Sequence, residues 1–553
     1  MSRISYFLLL IILSLAAGFA LWYATPAGLG LTNDSAAYIG GARSLLAGTG
    51  YSDVWLDSDL EAVTHYPPLL SLTLSGIGLL GLDPYRGARV LNILLFAANT
   101  GLIGLLGFRA TKSQAAGIFL ALLFASNAQL LRIHAQVLSE PLFIFLSLGS
   151  FLTFSFALEY QSTLKTNNDK NRSSTSGYAL RSRTGTWLLL TGILTSLAFL
   201  ARYSGLALIA TFLLAIFLLS QHSRLKRIAL FLAGVILPIA IWFIRNNLVA
   251  DSATNRVIQF NPIQISNIRT GLFNFSHFIS PFPTWQDWLF KSGALSVLLI
   301  TIGLILLAWL VYHAWNLLFA RGIEKSPNPL TFTTVLYIFG YLCAVLFSMS
   351  FFDASTKFQH RILSPLYVSW MILLVYFLQT LNTKDTKDTK VEHKKSALIR
   401  LIRQIRVPFS LTLVAIILAL STFNFQRSLT ELREIDGLGY ASWRWRQMNV
   451  LAIIKNLPSD VAIYSNSPPA VYLVTGRASR VIPTTINPVS GLPRSGYEQA
   501  LAEMREELLA GRAVLALFDT SDIEDAFGEE IALQFDGLTL LEKSQGNVLY
   551  GKP

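Results

Sequence analysis

The sequence predicts a polytopic α-helical membrane protein of about eleven spans that carries a small α/β domain at its C-terminal end. Three observations predict it. Of 553 residues, 53% are hydrophobic and only 14% charged, with a mean hydropathy of +0.50, which places the chain outside the soluble globular class. The apolar residues come in runs of about 17–25, the length that a rise of about 1.5 Å per residue needs to cross about 30 Å of hydrocarbon. After Asn424 those runs stop: the last 129 residues carry a net charge of −4 and residues 1–424 a net of +16. The excess base therefore belongs to the membrane part, and nucleic acid is not an expected partner.

Eleven runs read as spans, near 4–24, 85–108, 115–131, 141–158, 187–201, 205–220, 228–246, 293–319, 331–352, 364–381 and 408–424. A twelfth stretch, 67–82, has two prolines at its head and three glycines. Charge decides whether it crosses. If it does not, the loops holding Arg109, Lys112, Lys165–Arg183, Arg224–Arg227, Arg321–Lys325 and Lys384–Arg406 share a side with Arg3 and gather 21 basic residues, against eleven opposite. If it does, the most basic loops face outward, against the positive-inside rule. We therefore expect 67–82 to be a helix lying at the outer interface, the N-terminus to be cytoplasmic, and the C-terminal domain to be extracytoplasmic, in a multi-pass protein of the cell membrane. The first run also has features of a signal peptide, but its length of about 21 residues favours a retained span. Residues 161–183 and the run from Lys384 are solvated cytoplasmic linkers. A single cysteine, Cys343, leaves no intrachain disulfide.

Residues 1–424 thus form the membrane domain, with an outer first loop at 25–84, and 425–553 the α/β domain. In the latter, periodicity predicts a helix over 443–457, a strand over 461–465, a helix over 497–510, a buried strand over 513–519 and a final strand pair at 538–543 and 547–550.

The first loop is the acidic face. It holds Asp34, Asp53, Asp57, Asp59, Glu61 and Asp83 against one base, Arg43. Asn33-Asp34-Ser35 precedes a short helix with Tyr38 on one face. One reading makes Asp34 its N-cap; the other makes it a general base where the chain emerges from the bilayer. On the same expected face, Arg202, Arg245 and Arg361 end spans, where outward cations run against the charge rule. Snorkelling explains any one of them; three together suggest an anion at membrane depth.

These residues carry a resemblance. The string NDSAAYIGGARSLLAGTGY followed by His65-Tyr66-Pro67-Pro68-Leu69 resembles the first outer loop of the lipid-linked-sugar glycosyltransferases of superfamily C, in the group of protein O-mannosyltransferases, lipid-A aminoarabinose transferase and lipopolysaccharide-core transferases. Ser139-Glu140-Pro141 stands at the acid-Pro step of the second loop, with Glu for the more usual Asp. Ala201-Arg202-Tyr203, Ile244-Arg245-Asn246 and His360-Arg361 before Pro365 resemble the later basic positions, so the likeness covers about residues 1–370. The resemblance implies an integral-membrane glycosyltransferase, transferring a hexosyl or pentosyl unit with inversion from a polyprenyl-phosphate donor to an extracytoplasmic hydroxyl of a glycan, lipid or protein. Asp34 would be the base, Glu140 an acceptor-orienting or divalent-cation residue, and Arg202, Arg245 and Arg361 the phosphate ligands. Tyr38, His65 and Tyr66 would line the substrate site, Tyr66 standing where relatives often have Lys.

No cofactor is firmly implied, and a divalent cation remains open. His65, His134, His277 and His360 include no short-spaced metal pair, and no GxGxxG or P-loop offers a nucleotide site. Tyr464 to Pro469 puts polar residues past a strand end, where α/β sheets bind ligands, but an ordinary strand-to-helix turn is the better reading of it. The competing functions are a secondary transporter or lipid-linked-glycan flippase, and a membrane anchor. Transporters place ionisable groups at the bilayer midplane, whereas every charge here falls at a span end or in a loop. Anchoring needs far fewer spans.

Overall fold

The computed structural model describes the chain apart from residues 1, 54, 57–61, 169–173, 221–222, 250–257, 281, 320–327, 353–355, 384–396, 487–492, 495, 533–534 and 553; within elements it leaves out the side chains of 55–56, 159–168, 174–183, 381–383, 397–411 and 529–530. Asp57, Asp59, Glu61, Arg256, the Arg321–Lys325 loop and the run from Lys384 lie outside the described residues.

Nine described helices are long and apolar enough to cross a membrane: Arg3–Ala24, Pro84–Thr111, Glu140–Leu158, Thr184–Ala201, Arg224–Val249, Ala294–Phe319, Pro329–Phe351, His360–Thr380 and Thr412–Glu434. A tenth crossing results if Gln114–Ala125 and Ala128–His134, bent by 60°, form one span. The bend has a local cause. The Asn127 side chain accepts from Leu130 N–H at 3.0 Å, capping the second helix and ending the first. The expected span at 205–220 is a 14-residue helix, Leu206–Leu219, preceded by a 3₁₀ turn at Tyr203–Gly205. It is shorter than the others, so nine or ten of the eleven expected spans have the length and composition of a crossing. The doubtful stretch 67–82 yields only the ten-residue helix Leu69–Gly78, about 15 Å long and too short to cross.

The helix Ala294–Phe319 buries only Leu295 and Leu310, while Leu298, Ile300, Ile305 and Val311 are among its exposed side chains. Apolar surface on that scale belongs against lipid. The chain is a multi-pass membrane protein. Its helices touch through small residues: a Cβ added at Gly192 would run into the Phe231 carbonyl, and one at Gly234 would meet Ile193 N at 2.8 Å. Helices Ser174–Ala201 and Arg224–Val249 therefore pack backbone on backbone, the usual close approach in lipid.

At one end of the bundle, three distant segments form a short irregular ladder. Gly30 N–H donates to Ala135 O at 2.8 Å and Val137 N–H returns to Gly30 O at 3.0 Å; on the other side Leu31 N–H donates to Leu438 O and Tyr440 N–H to Leu31 O, both at 3.0 Å. Glycine is required in it twice. A Cβ at Gly30 would meet Leu438 Cβ at 2.7 Å, and Gly439 adopts φ +60° with its α-carbon against the Leu31 carbonyl.

Beyond the last helix, which runs past Asn424 to Glu434, lies a six-stranded sheet. Its strands are β1 (Trp55–Leu56), β2 (Ala462–Ser465), β3 (Ser479–Val481), β4 (Ala513–Leu517), β5 (Thr539–Ser544) and β6 (Asn547–Gly551), in the order β1-β3-β2-β4-β6-β5. The first four are parallel neighbours; β6 runs antiparallel to β4 and β5. β4 is buried throughout, as a central parallel strand with helices on its faces should be. β1 comes from the first loop, so that loop and the C-terminal domain share one sheet. The helix expected over 443–457 is two, Trp443–Arg446 and Asn449–Asn456.

Replacing Gly192 by Val should cost on the order of 1–3 kcal/mol through overpacking, whereas Gly303→Ala, with nothing within 4 Å of its added carbon, should be neutral. Thermal unfolding in detergent checks this; equal melting of both variants and wild type would mean the two helices do not meet at Gly192.

Candidate active site

Asp34 is not the cap of its helix. The helix Asn33–Leu46 is capped by Thr32, whose side chain accepts from Ser35 N–H while the Ser35 hydroxyl accepts from Thr32 N–H at 2.9 Å. This corrects the capping reading of Asp34 and leaves its carboxylate for other work. Oδ2 forms an ion pair with Arg361, and Oδ1 accepts from the Tyr66 hydroxyl at 3.3 Å. Burial pushes the Tyr66 and Tyr38 phenols well above their usual range, so both stay protonated and donate.

Glu140 opens the helix Glu140–Asn168 immediately before Pro141, a residue suited to a helix's first turn. The carboxylate is buried, with 1% of its surface exposed, and faces Arg202 in an ion pair. No further hydrogen bond reaches it among the described residues. Next to it, the Ser139 hydroxyl accepts from Arg202 Nη1 at 3.2 Å and from the Tyr38 hydroxyl at 3.1 Å. Tyr38 in turn meets Tyr66 edge to face at 5.6 Å. Arg361 also feels Glu140, and Arg202 feels Arg361, so the four charges form one electrostatic unit.

The scaffold explains why they meet. The Gly30–Leu31 ladder fixes residues 135–137 beside the start of the Asp34 helix, and the Ser35 hydroxyl donates to Val137 O at 2.8 Å. Arg361 sits in the first turn of His360–Thr383, where Pro365 cannot donate to the Arg361 carbonyl; the Ser364 hydroxyl does so instead at 2.7 Å.

Solved structures share this architecture. ArnT from Cupriavidus metallidurans in the apo state matches with a TM-score of 0.52 at 12% identity, over 98% of this chain and 97% of that one. The Archaeoglobus fulgidus oligosaccharyltransferase tethered to an acceptor peptide matches with a TM-score of 0.55 at 12% identity, over 100% and 74%. The mycobacterial arabinofuranosyltransferase AftD, as its R1389S mutant, matches with a TM-score of 0.52 at 12% identity, over 100% of this chain and 42% of that one. The chain shares the fold of these three structures. No family model and no curated protein matches the chain.

Within this fold the remaining candidates divide. His65 lies against Tyr66, ring centroids 4.4 Å apart, at the edge of the cluster. Arg245 is engaged elsewhere: it donates to Val63 O at 2.5 Å and Tyr51 O at 3.0 Å, strapping the base of the loop excursion between those residues. His134 is a satisfied core histidine between Leu130 O at 2.7 Å and the Asn99 amide at 3.2 Å. The turn after β2 is a turn: Asn466 pairs both ways with the Phe518 backbone, at 2.8 and 2.9 Å.

Two features escape sequence reasoning. Ser139 joins Arg202 to Tyr38 through its hydroxyl, and its only signal is its place in the Ser-Glu-Pro step. His277 Nδ1 and His360 Nε2 stand 2.8 Å apart although 83 residues separate them, and burial lowers the His277 pKa. Among the described residues no three His, Cys, Asp or Glu side chains gather to hold a metal.

Proposed function

We propose that the protein transfers a sugar, hexosyl or pentosyl, from a polyprenyl-phosphate donor to an extracytoplasmic hydroxyl with inversion at the anomeric carbon. The observation that carries this reading is the cluster of Asp34, Glu140, Arg202 and Arg361 at the end of an apolar helix bundle. A lipid-linked sugar has its chain in the bilayer and its phosphate at the interface, and so needs cations there with a base just above. The fold likeness supports it. ArnT has been solved bound to undecaprenyl phosphate, and the archaeal oligosaccharyltransferase with an inhibitory peptide and a dolichol-phosphate.

In this reading Asp34 takes the proton of the acceptor hydroxyl as its oxygen bonds to the anomeric carbon. The bond from that carbon to the phosphate oxygen breaks on the opposite side, and its electron pair leaves with polyprenyl phosphate. Arg202 and Arg361 hold the phosphate and balance the charge it gains. Glu140, with accepting capacity to spare, orients the acceptor. Tyr38 and Tyr66 line the site as donors, His65 borders it, and Arg245 contributes by holding the loop. The archaeal oligosaccharyltransferase has also been solved with Zn and sulfate; here Asp34 and Glu140 face guanidinium groups, and among the described residues no metal-ligating set is gathered. The acceptor is a glycan, lipid or protein of the cell envelope. The N-terminus is cytoplasmic, and the first loop and C-terminal domain are extracytoplasmic.

Asp34→Asn keeps the size of the side chain and leaves the Thr32 cap untouched while removing the basic oxygen. Turnover should fall by about 10²-fold or more, within the roughly 10²–10⁴ that general-base help supplies, with folding preserved. Sugar transfer and thermal stability measured on one preparation check this; full activity in the variant would dismiss Asp34 as the base.

The orientation predicts that single cysteines replacing Thr49 or Ser459 in a Cys343→Ala background react with an impermeant thiol reagent on intact cells, and that one replacing Ser174 does not. Labelling at 174 would reverse the topology and put the cluster on the cytoplasmic face.

A further inference from the structure

Arg361 serves two anions that the proposed reaction keeps apart. Its Nη1 is paired with Asp34 and its Nε donates to the Gln359 side chain at 2.9 Å. A guanidinium grips phosphate along an edge of two nitrogens, either Nη1 with Nη2 or Nε with Nη2. Each edge has one nitrogen already engaged. On the other side of the pair, both oxygens of Asp34 carry a partner, Arg361 on Oδ2 and Tyr66 on Oδ1. A carboxylate so held has its oxygens turned to Arg361 and Tyr66 and not to an acceptor hydroxyl.

We propose that the Asp34–Arg361 ion pair is a latch which the donor's phosphate opens: the phosphate takes the Nη1–Nη2 edge of Arg361 and releases Asp34 to act as base. This rests on the function proposed above and adds its order of events. The base is engaged while the site is empty and becomes active only when a phosphate-bearing donor is seated, which guards against unproductive proton transfer. Released Asp34 stays in place through Tyr66 and the Thr32–Ser35 cap, and Arg202 remains paired with Glu140 and bonded to the Ser139 hydroxyl. The exchange therefore needs one arginine side chain to shift and no movement of a helix. The partly exposed side chain of Arg361, 29% open, leaves room for it.

The latch makes the carboxylate and the phosphate competitors for one cation. Removing the carboxylate should then tighten binding of polyprenyl phosphate although it lowers turnover. If the pair is closed in about nine of ten empty molecules, the gain is about tenfold. Binding of polyprenyl phosphate is measured for wild type, Asp34→Asn, Arg361→Ala and the double variant in detergent or nanodiscs, with Asp34→Ser as a second uncharged replacement should Asn disturb the fold. The expected result is tighter binding in Asp34→Asn, weaker binding in Arg361→Ala, and no gain from the Asn change once Arg361 is gone. Unchanged or weaker binding in both Asp34 variants overturns the latch while leaving a phosphate-binding wild type consistent with the proposed function. An equal gain with and without Arg361 overturns it too, since plain repulsion between carboxylate and phosphate would then account for the effect. A wild type that binds no polyprenyl phosphate removes the proposed function and the latch together.

Discussion

A carboxylate at the end of an apolar helix bundle needs a counter-ion beside it, because the cost of taking an isolated ion out of water exceeds anything packing returns. Asp34 and Glu140 meet that condition through Arg361 and Arg202, and much of the local structure serves those two pairs. The ladder through Gly30 and Leu31 brings the first loop against residues 135–137. The Thr32–Ser35 cap sets the helix that carries Asp34, and Ser139 and Tyr38 fill the space between the pairs with hydrogen bonds. Half-satisfied buried networks are costly, and Glu140 is the member with acceptor capacity left over. An acid held in reserve in this way suits a site awaiting a polyhydroxylated substrate.

The C-terminal domain is attached at the same place. Leu438 and Tyr440 flank Leu31, and the Tyr440 hydroxyl donates to Asn33 Oδ1 at 2.6 Å, one residue from Asp34. β1 adds a first-loop strand to the domain's sheet. The domain thus sits on the loop that carries the candidate base, and its position is fixed by backbone bonds that depend on Gly30 and Gly439.

Much of this was legible in the sequence, for physical reasons that also mark the limits. Spans are read from long apolar runs, which is why nearly every crossing helix was expected, and why the bend at Asn127 was not: a single capping side chain hardly alters hydropathy. The C-terminal strands at 462–465 and 513–517 follow from buried β-branched and aliphatic runs, but β1 is two residues whose strand state exists only through a partner more than four hundred positions away. Site charges stood out because arginines at the outward ends of spans run against the charge rule. Arg245 looked like Arg202 and Arg361 for that reason, and what separates them, the carbonyls of Tyr51 and Val63, is tertiary. The same holds for Asp34. The string Asn33-Asp34-Ser35 is compatible with a cap at any of its polar residues, and only the three-dimensional partners assign the cap to Thr32 and the carboxylate to Arg361.

The account stands on the claim that the paired charges serve a lipid-linked sugar. The most direct measurement is release of free polyprenyl phosphate by the purified protein in nanodiscs, supplied with a panel of polyprenyl-phosphate sugars and an envelope extract as the source of acceptor. The account predicts release from at least one donor, with the sugar recovered on an acceptor in inverted configuration. No release from any donor, or recovery of the sugar with its configuration retained, would contradict it.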